Sequence, residues 1–182
     1  MGIEKKHIVL GVTGSIAAYK SADLIRRLGD GGATVSVIMT KEARQFITPL
    51  TLSSLSGQKV YGDLFEDWGR DGPMSHIQLA RDADAIVVAP ATANVIAKLA
   101  HGLADDLLTC SVLATRAPVV VAPAMNEGMF QNRIVQENCR TLKECGFVFV
   151  NPVKGQLACG VYGEGHLAEV ETIVSVLGSV FR

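Results

Sequence analysis

His7-Ile8-Val9-Leu10-Gly11-Val12, followed by Thr13-Gly14-Ser15 and closed by Ala33-Thr34-Val35-Ser36-Val37-Ile38-Met39, is the stretch that decides the fold. Both apolar runs are short, rich in β-branched residues and bounded by turn residues, which is the pattern of buried strands. Between them Ala18, Ala22, Ile25 and Leu28 recur at helical spacing. That helix begins near Ile16, and Gly31-Gly32 stops it. Strand, helix and strand in so short a span make a βαβ unit, whose crossover is right-handed.

The alternation continues outward. Glu42 to Phe46 and Pro49 to Leu55 read as short helices, and residues 57–72 as a long Gly-containing excursion. Asp84-Ala85-Ile86-Val87-Val88-Ala89-Pro90 is a third strand. The helix after it opens at Ala91-Thr92-Ala93-Asn94 and breaks at Gly102. Asp105 is placed to cap the next, which carries Leu107, Leu108, Cys110 and Leu113. Residues 119–122 form a further strand. Asn132 caps a helix with Val135, Cys139 and Leu142 on one face, and residues 147–150 and 169–180 supply a last strand and helix. The expected fold is α/β: a three-layer, doubly wound parallel sheet of Rossmann-like or flavodoxin-like type, as a single domain over 1-182.

Composition narrows the function. The 182 residues are 48% hydrophobic with a net charge of −1, which gives no electrostatic footprint for nucleic acid. No apolar run reaches the length of a membrane span, and the amino terminus lacks a signal-peptide apolar region, so a cytoplasmic protein is expected. Cys110, Cys139, Cys145 and Cys159 show neither CxxC spacing nor a His partner, so no metal site is expected. The first three fall within apolar helical patterns and read as small core residues.

In open α/β sheets ligands sit at the carboxyl ends of the strands, and the unusual residues of this chain gather there. Gly14-Ser15-Ile16 is either an anion site, built from close backbone, a capping hydroxyl and a helix dipole, or a plain tight turn. Thr92 and Asn94 offer polar groups at a second helix mouth. Pro123-Ala124-Met125-Asn126-Glu127-Gly128-Met129-Phe130 sets one amide among adaptable apolar side chains, as a small-molecule pocket does, and is equally readable as a turn. Ser75 and Gln78 have capping-box spacing, which puts His76 in a first helical turn, where the dipole favours neutral imidazole. It is a general base or a solvated surface residue. Gly155 to Gly165 is too rich in glycine for a helix or central strand and suits a flexible flap near 153–167, with Cys159 either catalytic or idle.

Five of these motifs, in this order, resemble the flavin-dependent cysteine decarboxylases over almost the whole chain. They are Gly14 to Lys20, Ser75-His76-Ile77, Ala89 to Asn94 with Lys98 and 102–109, Pro123 to Met129, and Gly155 to Gly160. The resemblance implies FMN as cofactor, with its phosphate at Gly14, Ser15 and Ile16. Thr40 and the Ala91-Thr92-Ala93-Asn94 turn would hold the rest, with Ala124 near the ring. It implies His76 as catalytic base, Asn126 and Met129 as substrate ligands, and Cys159 as proton donor. The implied substrate is 4′-phospho-N-pantothenoyl-L-cysteine. Transient oxidation to a thioaldehyde would let carbon dioxide leave, and re-reduction of the enethiol would give 4′-phosphopantetheine without net redox change. A homotrimer with flavin and His76 meeting across a subunit boundary is also implied. Phe130 stands where the family has Trp, His166-Leu167 where it has Arg-Met, and Val170 where it has Pro, which bears on substrate choice. A peptide ending in cysteine is the alternative substrate, and non-catalytic flavin binding the alternative role.

Overall fold

A computed structural model describes residues 2–65, 74–156 and 162–182. In chain order the elements are β1 (His7–Val12), one 3₁₀ turn (Ile16–Tyr19) running into α1 (Lys20–Asp30), β2 (Thr34–Met39), a second 3₁₀ turn (Ala43–Gln45), α2 (Pro49–Ser56), β3 (Val60–Tyr61), α3 (Ser75–Asp82), β4 (Ala85–Ala91), α4 (Ala93–Ala100), α5 (Leu107–Ala114), β5 (Val119–Pro123), α6 (Glu127–Phe130), α7 (Arg133–Glu144), β6 (Val148–Phe149), β7 (Val153–Gln156), β8 (Tyr162–His166) and α8 (Val170–Ser179).

Six strands form a parallel sheet in the order β3-β2-β1-β4-β5-β6. This is the doubly wound order. Without the two-residue edge strand β3, it reduces to the flavodoxin-like one. Successive side chains of a strand point to opposite faces. Ile8, Leu10 and Val12 of β1, with Val87 and Ala89 of β4, therefore pack beneath α1, α2 and α8. Val9, Ile86, Val88 and Val121 pack beneath α3, α4, α5 and α7 on the other face. Both faces are covered, which is why the strands read as unbroken apolar runs. Each fully buried Ile or Leu contributes about 1.5–3 kcal/mol. Among the described residues no helix is long and apolar enough to cross a membrane.

The structure differs from the sequence reading in four places. Asp106, not Asp105, caps α5: its Oδ1 accepts the Thr109 amide at 2.8 Å and its own amide donates to Thr109 Oγ1 at 3.3 Å. A capping box needs a polar partner three residues on; Asp106 has Thr109, whereas Asp105 has Leu108. Asp105 instead pairs with Lys98 Nζ at 2.8 Å. Ser75 does not cap α3, because the Met74 carbonyl already accepts the Ile77 and Gln78 amides, leaving Ser75 inside the helix. Of the three cysteines assigned to the core, only Cys139 is buried; Cys110 is partly covered and Cys145, at the end of α7, is exposed. Finally, the glycine-rich segment contributes an antiparallel ribbon, β7 with β8, outside the main sheet.

Candidate functional site

β1 and β4 are neighbours at the centre of the sheet, and their onward connections run to opposite sides. That point is where a doubly wound sheet opens a crevice. The turn after β1 is capped by Ser15, whose Oγ accepts the Ala17 amide at 3.3 Å. The turn after β4 is capped by Thr92, whose Oγ1 accepts the Val95 amide at 3.4 Å. The first amides of a helix have no partner inside it, so these two openings bring donors to one place. Gly14, Ser15, Ile16, Thr92, Ala93 and Asn94 all line a single cleft of about 600 Å³. That volume suits a molecule of cofactor size.

The end of β2 supplies the floor. Thr40 is buried, its amide donates to the Val12 carbonyl at 3.0 Å, and its Oγ1 accepts the Ala43 amide at 3.3 Å. This brings Glu42 against the first turn. A Cβ on Gly14 would lie 2.4 Å from Glu42 Cβ, so only glycine lets the two loops meet. Lys20 and Glu42 are the cleft's charged side chains among the described residues.

The far wall comes from β5 and β8. The Ala124 amide donates to the Ala91 carbonyl at 3.0 Å, joining the ends of β4 and β5. Asn126 caps α6, its Oδ1 accepting the Gly128 amide at 2.9 Å. The donor end of the same amide, Nδ2, is the end suited to an anionic carboxylate. Met129, beside it on the cleft wall, is 49% exposed, and Ile16 and Tyr19 across the opening are also exposed. Gly165, His166 and Leu167 complete this wall. The Glu164 amide donates to Glu127 Oε1 at 3.2 Å, which seats β8 on the loop.

Of the positions singled out in the sequence, Gly14, Ser15, Ile16, Thr40, Thr92, Ala93, Asn94, Ala124, Asn126 and Met129 share this cleft. Ala91 is the buried last residue of β4, just behind it. His76 stands at the second position of α3 and is not among the residues lining the cleft of one chain. Cys159, with the rest of residues 157–161, lies outside the described residues. Sequence reasoning marked His166 only as a departure that bears on substrate choice, and it missed Thr13, Glu42 and Glu127 as parts of the site. A hydroxyl beside the glycine of the first turn was a signal for Thr13; the others carried none.

Burial works to lower the pKa of Lys98, but its hydrogen bonds to Asp105 and Asp106 outweigh that and hold the ammonium above its usual range. This triad ties α4 to the start of α5 and lies away from the cleft. Among the described residues no cluster of His, Cys, Asp and Glu could hold a metal ion.

The fold and cleft define a doubly wound α/β protein with a ligand site at its switch point. The sequence profile of the Flavoprotein family matches residues 2–182, and the chain belongs to that family. It is 49% identical over 177 residues to the coenzyme A biosynthesis bifunctional protein CoaBC of Vibrio vulnificus, covering 97% of this chain and 44% of that protein. It is 47% identical over 174 residues to the protein of the same name from Bacillus subtilis, covering 96% of this chain and 43% of that protein. The chain thus spans a little under half the length of these relatives. Among solved structures it resembles a cysteine-to-serine mutant of PPC decarboxylase complexed with pantothenoylaminoethenethiol. The TM-score is 0.85 and the identity 36%, over 96% of this chain and 97% of that one. It also resembles the FMN binding protein AtHal3, with a TM-score of 0.82 and 36% identity over 96% of this chain and 95% of that one.

Proposed function

We propose that the cleft holds FMN and that the chain decarboxylates 4′-phospho-N-pantothenoyl-L-cysteine to 4′-phosphopantetheine, a step of coenzyme A biosynthesis in the cytoplasm. The observation that carries this reading is the convergence, in one cleft, of two helix-opening turns with the Met125-Asn126 loop. The residues fit the cofactor. The Gly14 turn is held to bare backbone by its contact with Glu42, which leaves the close amide cradle that a phosphate group needs. The apolar walls suit a flat heteroaromatic ring.

Bound there, FMN supplies a reversible two-electron oxidation of the thiol-bearing carbon, which gives the departing carboxylate an electron sink. The chain's own residues place and protect the substrate. Asn126 would hold the substrate carboxylate through its side-chain amide, and Met129 would cover the substrate's apolar stem. His76 serves as base for the substrate thiol, and Cys159 returns a proton to the product carbon; both roles rest on the sequence motifs. General acid–base help of this kind typically contributes about 10²–10⁴-fold.

His76 is the second residue of α3 and does not line the cleft of one chain; as the family resemblance implies, the reading includes a homotrimer in which a neighbouring subunit brings this imidazole to the flavin. The exposed apolar side chains at the cleft mouth, Ile16, Tyr19 and Met129, are surface that such a subunit or the substrate would cover. The test is to load the purified protein with FMN and compare turnover of phosphopantothenoylcysteine with that of a peptide ending in cysteine. Preference for the first supports the reading, and preference for the peptide replaces its substrate.

A further inference from the structure

We infer that Thr13 is a positioning residue that fixes the separation of the two helix-opening turns, and with it the cleft's preference for a phosphorylated flavin. The inference rests on the FMN reading above and adds a residue to it.

Thr13 is wholly buried at the point where the sheet's central strands part. The paired register of β1 with β4 ends at Gly11 and Val88. The register of β4 with β5 shifts between Val88 and Ala91. Carbonyls and amides just beyond Val88 therefore leave the regular ladder while still inside the protein, where each needs a partner. Two hydroxyls take that place. Ser21 Oγ, from α1, donates to the Ala89 carbonyl at 3.1 Å. Thr13 Oγ1 donates to the Pro90 carbonyl at 2.6 Å and accepts the Thr92 amide at 3.1 Å.

Thr13 thus spends both its donor and an acceptor lone pair on the segment either side of Ala91. Its main-chain carbonyl meanwhile accepts the Ser15 amide at 2.8 Å, closing the first turn. One residue holds the Gly14–Ile16 turn through its backbone and the Thr92–Asn94 turn through its side chain. Residues of both turns line the same cleft. A flavin whose phosphate sits at the Gly14–Ile16 turn while the Thr92–Asn94 turn holds the rest of it must meet both sets of donors at once, and such bonds weaken steeply as distance and angle depart from the optimum. A ligand without the phosphate makes no such demand on the spacing.

The experiment measures dissociation constants of FMN and riboflavin for the wild type, Thr13→Val and Thr13→Ser. Valine keeps the shape of threonine and removes the hydroxyl; serine keeps the hydroxyl. For Thr13→Val the FMN constant should rise about tenfold, the scale of one net hydrogen bond, with riboflavin binding little changed. The FMN-over-riboflavin preference therefore falls, and Thr13→Ser restores it. Equal weakening of both ligands, or an unchanged preference, overturns the inference, because a residue that only supports the fold would act on both alike. If Thr13→Val does not accumulate as folded protein, Thr13→Cys, with a weak donor in the same place, reads the same ratio. A wild type that binds no FMN overturns the proposed function instead, so the two failures are distinct.

Discussion

The Met125 amide donates to the Gly165 carbonyl at 3.0 Å, which pins the residue before Asn126 to strand β8 of the ribbon. The two backbones are as close as they can come. A Cβ on Gly165 would lie 2.2 Å from the Met125 carbonyl oxygen, and Gly165 holds φ at +146°. Only glycine adopts that conformation without strain.

Gly165→Ala should therefore push β8 off the Asn126 loop. Steric conflict and backbone strain together should cost about 1–3 kcal/mol of stability. Because both sides of the contact line the cleft, decarboxylation should fall further than the melting temperature alone explains. Paired measurements of thermal unfolding and kcat/KM check this, and unchanged kcat/KM would remove the ribbon from the site.

Glu127 accepts the Glu164 amide through Oε1 and is the side-chain link between α6 and β8. Glu127→Gln keeps an oxygen acceptor, whereas Glu127→Ala leaves the amide without it. The alanine variant should show a KM about three- to tenfold higher, the scale of one net hydrogen bond, and glutamine should recover most of it. Steady-state kinetics on the three proteins decide the matter.

Asp106→Ala removes the side-chain half of the capping box, leaving only the backbone amide at 106 to donate to Thr109 Oγ1, and should cost about 0.5–2 kcal/mol, as loss of an N-cap does. Asp105→Ala removes only an exposed partner of Lys98 and should cost less than about 1 kcal/mol. Denaturant unfolding of both variants gives the order. The reverse order would mean that the charge pair, and not the cap, holds α5.

Asp84 is held below the usual carboxylate range, first by the backbone hydrogen bond from His7, against some desolvation, and then by Lys6. Its folded pKa is thus lower than its unfolded one. Its contribution to stability is present above the unfolded pKa and is lost as pH falls through the folded pKa. Asp84→Asn should accordingly be less stable than the wild type near neutrality, with the gap closing in acid. Unfolding midpoints across the acidic range measure this, and a gap that widens with acid would contradict it.

The central fold was legible because a parallel sheet covered on both faces writes its strands as continuous apolar runs. His7 to Val12, Ala85 to Ala91 and Val119 to Pro123 carry enough residues for that pattern to show. β3 has two residues and no pattern, so it could not be read. The cleft's Gly14, Thr92 and Asn126 were legible because turns at strand ends use distinctive residues. Thr13 was not, since its hydroxyl's partners lie 77 and 79 residues further along the chain. Asp105 and Asp106 are both plausible caps by residue type, and only the reply from Thr109 separates them. Cys145 looked like core because the apolar pattern of α7 continues up to it; its place at the helix end turns it to solvent.

The most direct test of the central claim is mass spectrometry of the product formed when the FMN-loaded protein meets phosphopantothenoylcysteine. The expected product is 4′-phosphopantetheine, lighter than the substrate by one carbon dioxide and carrying a saturated thiol arm. Recovery of unchanged substrate from protein that has its flavin bound would contradict the account.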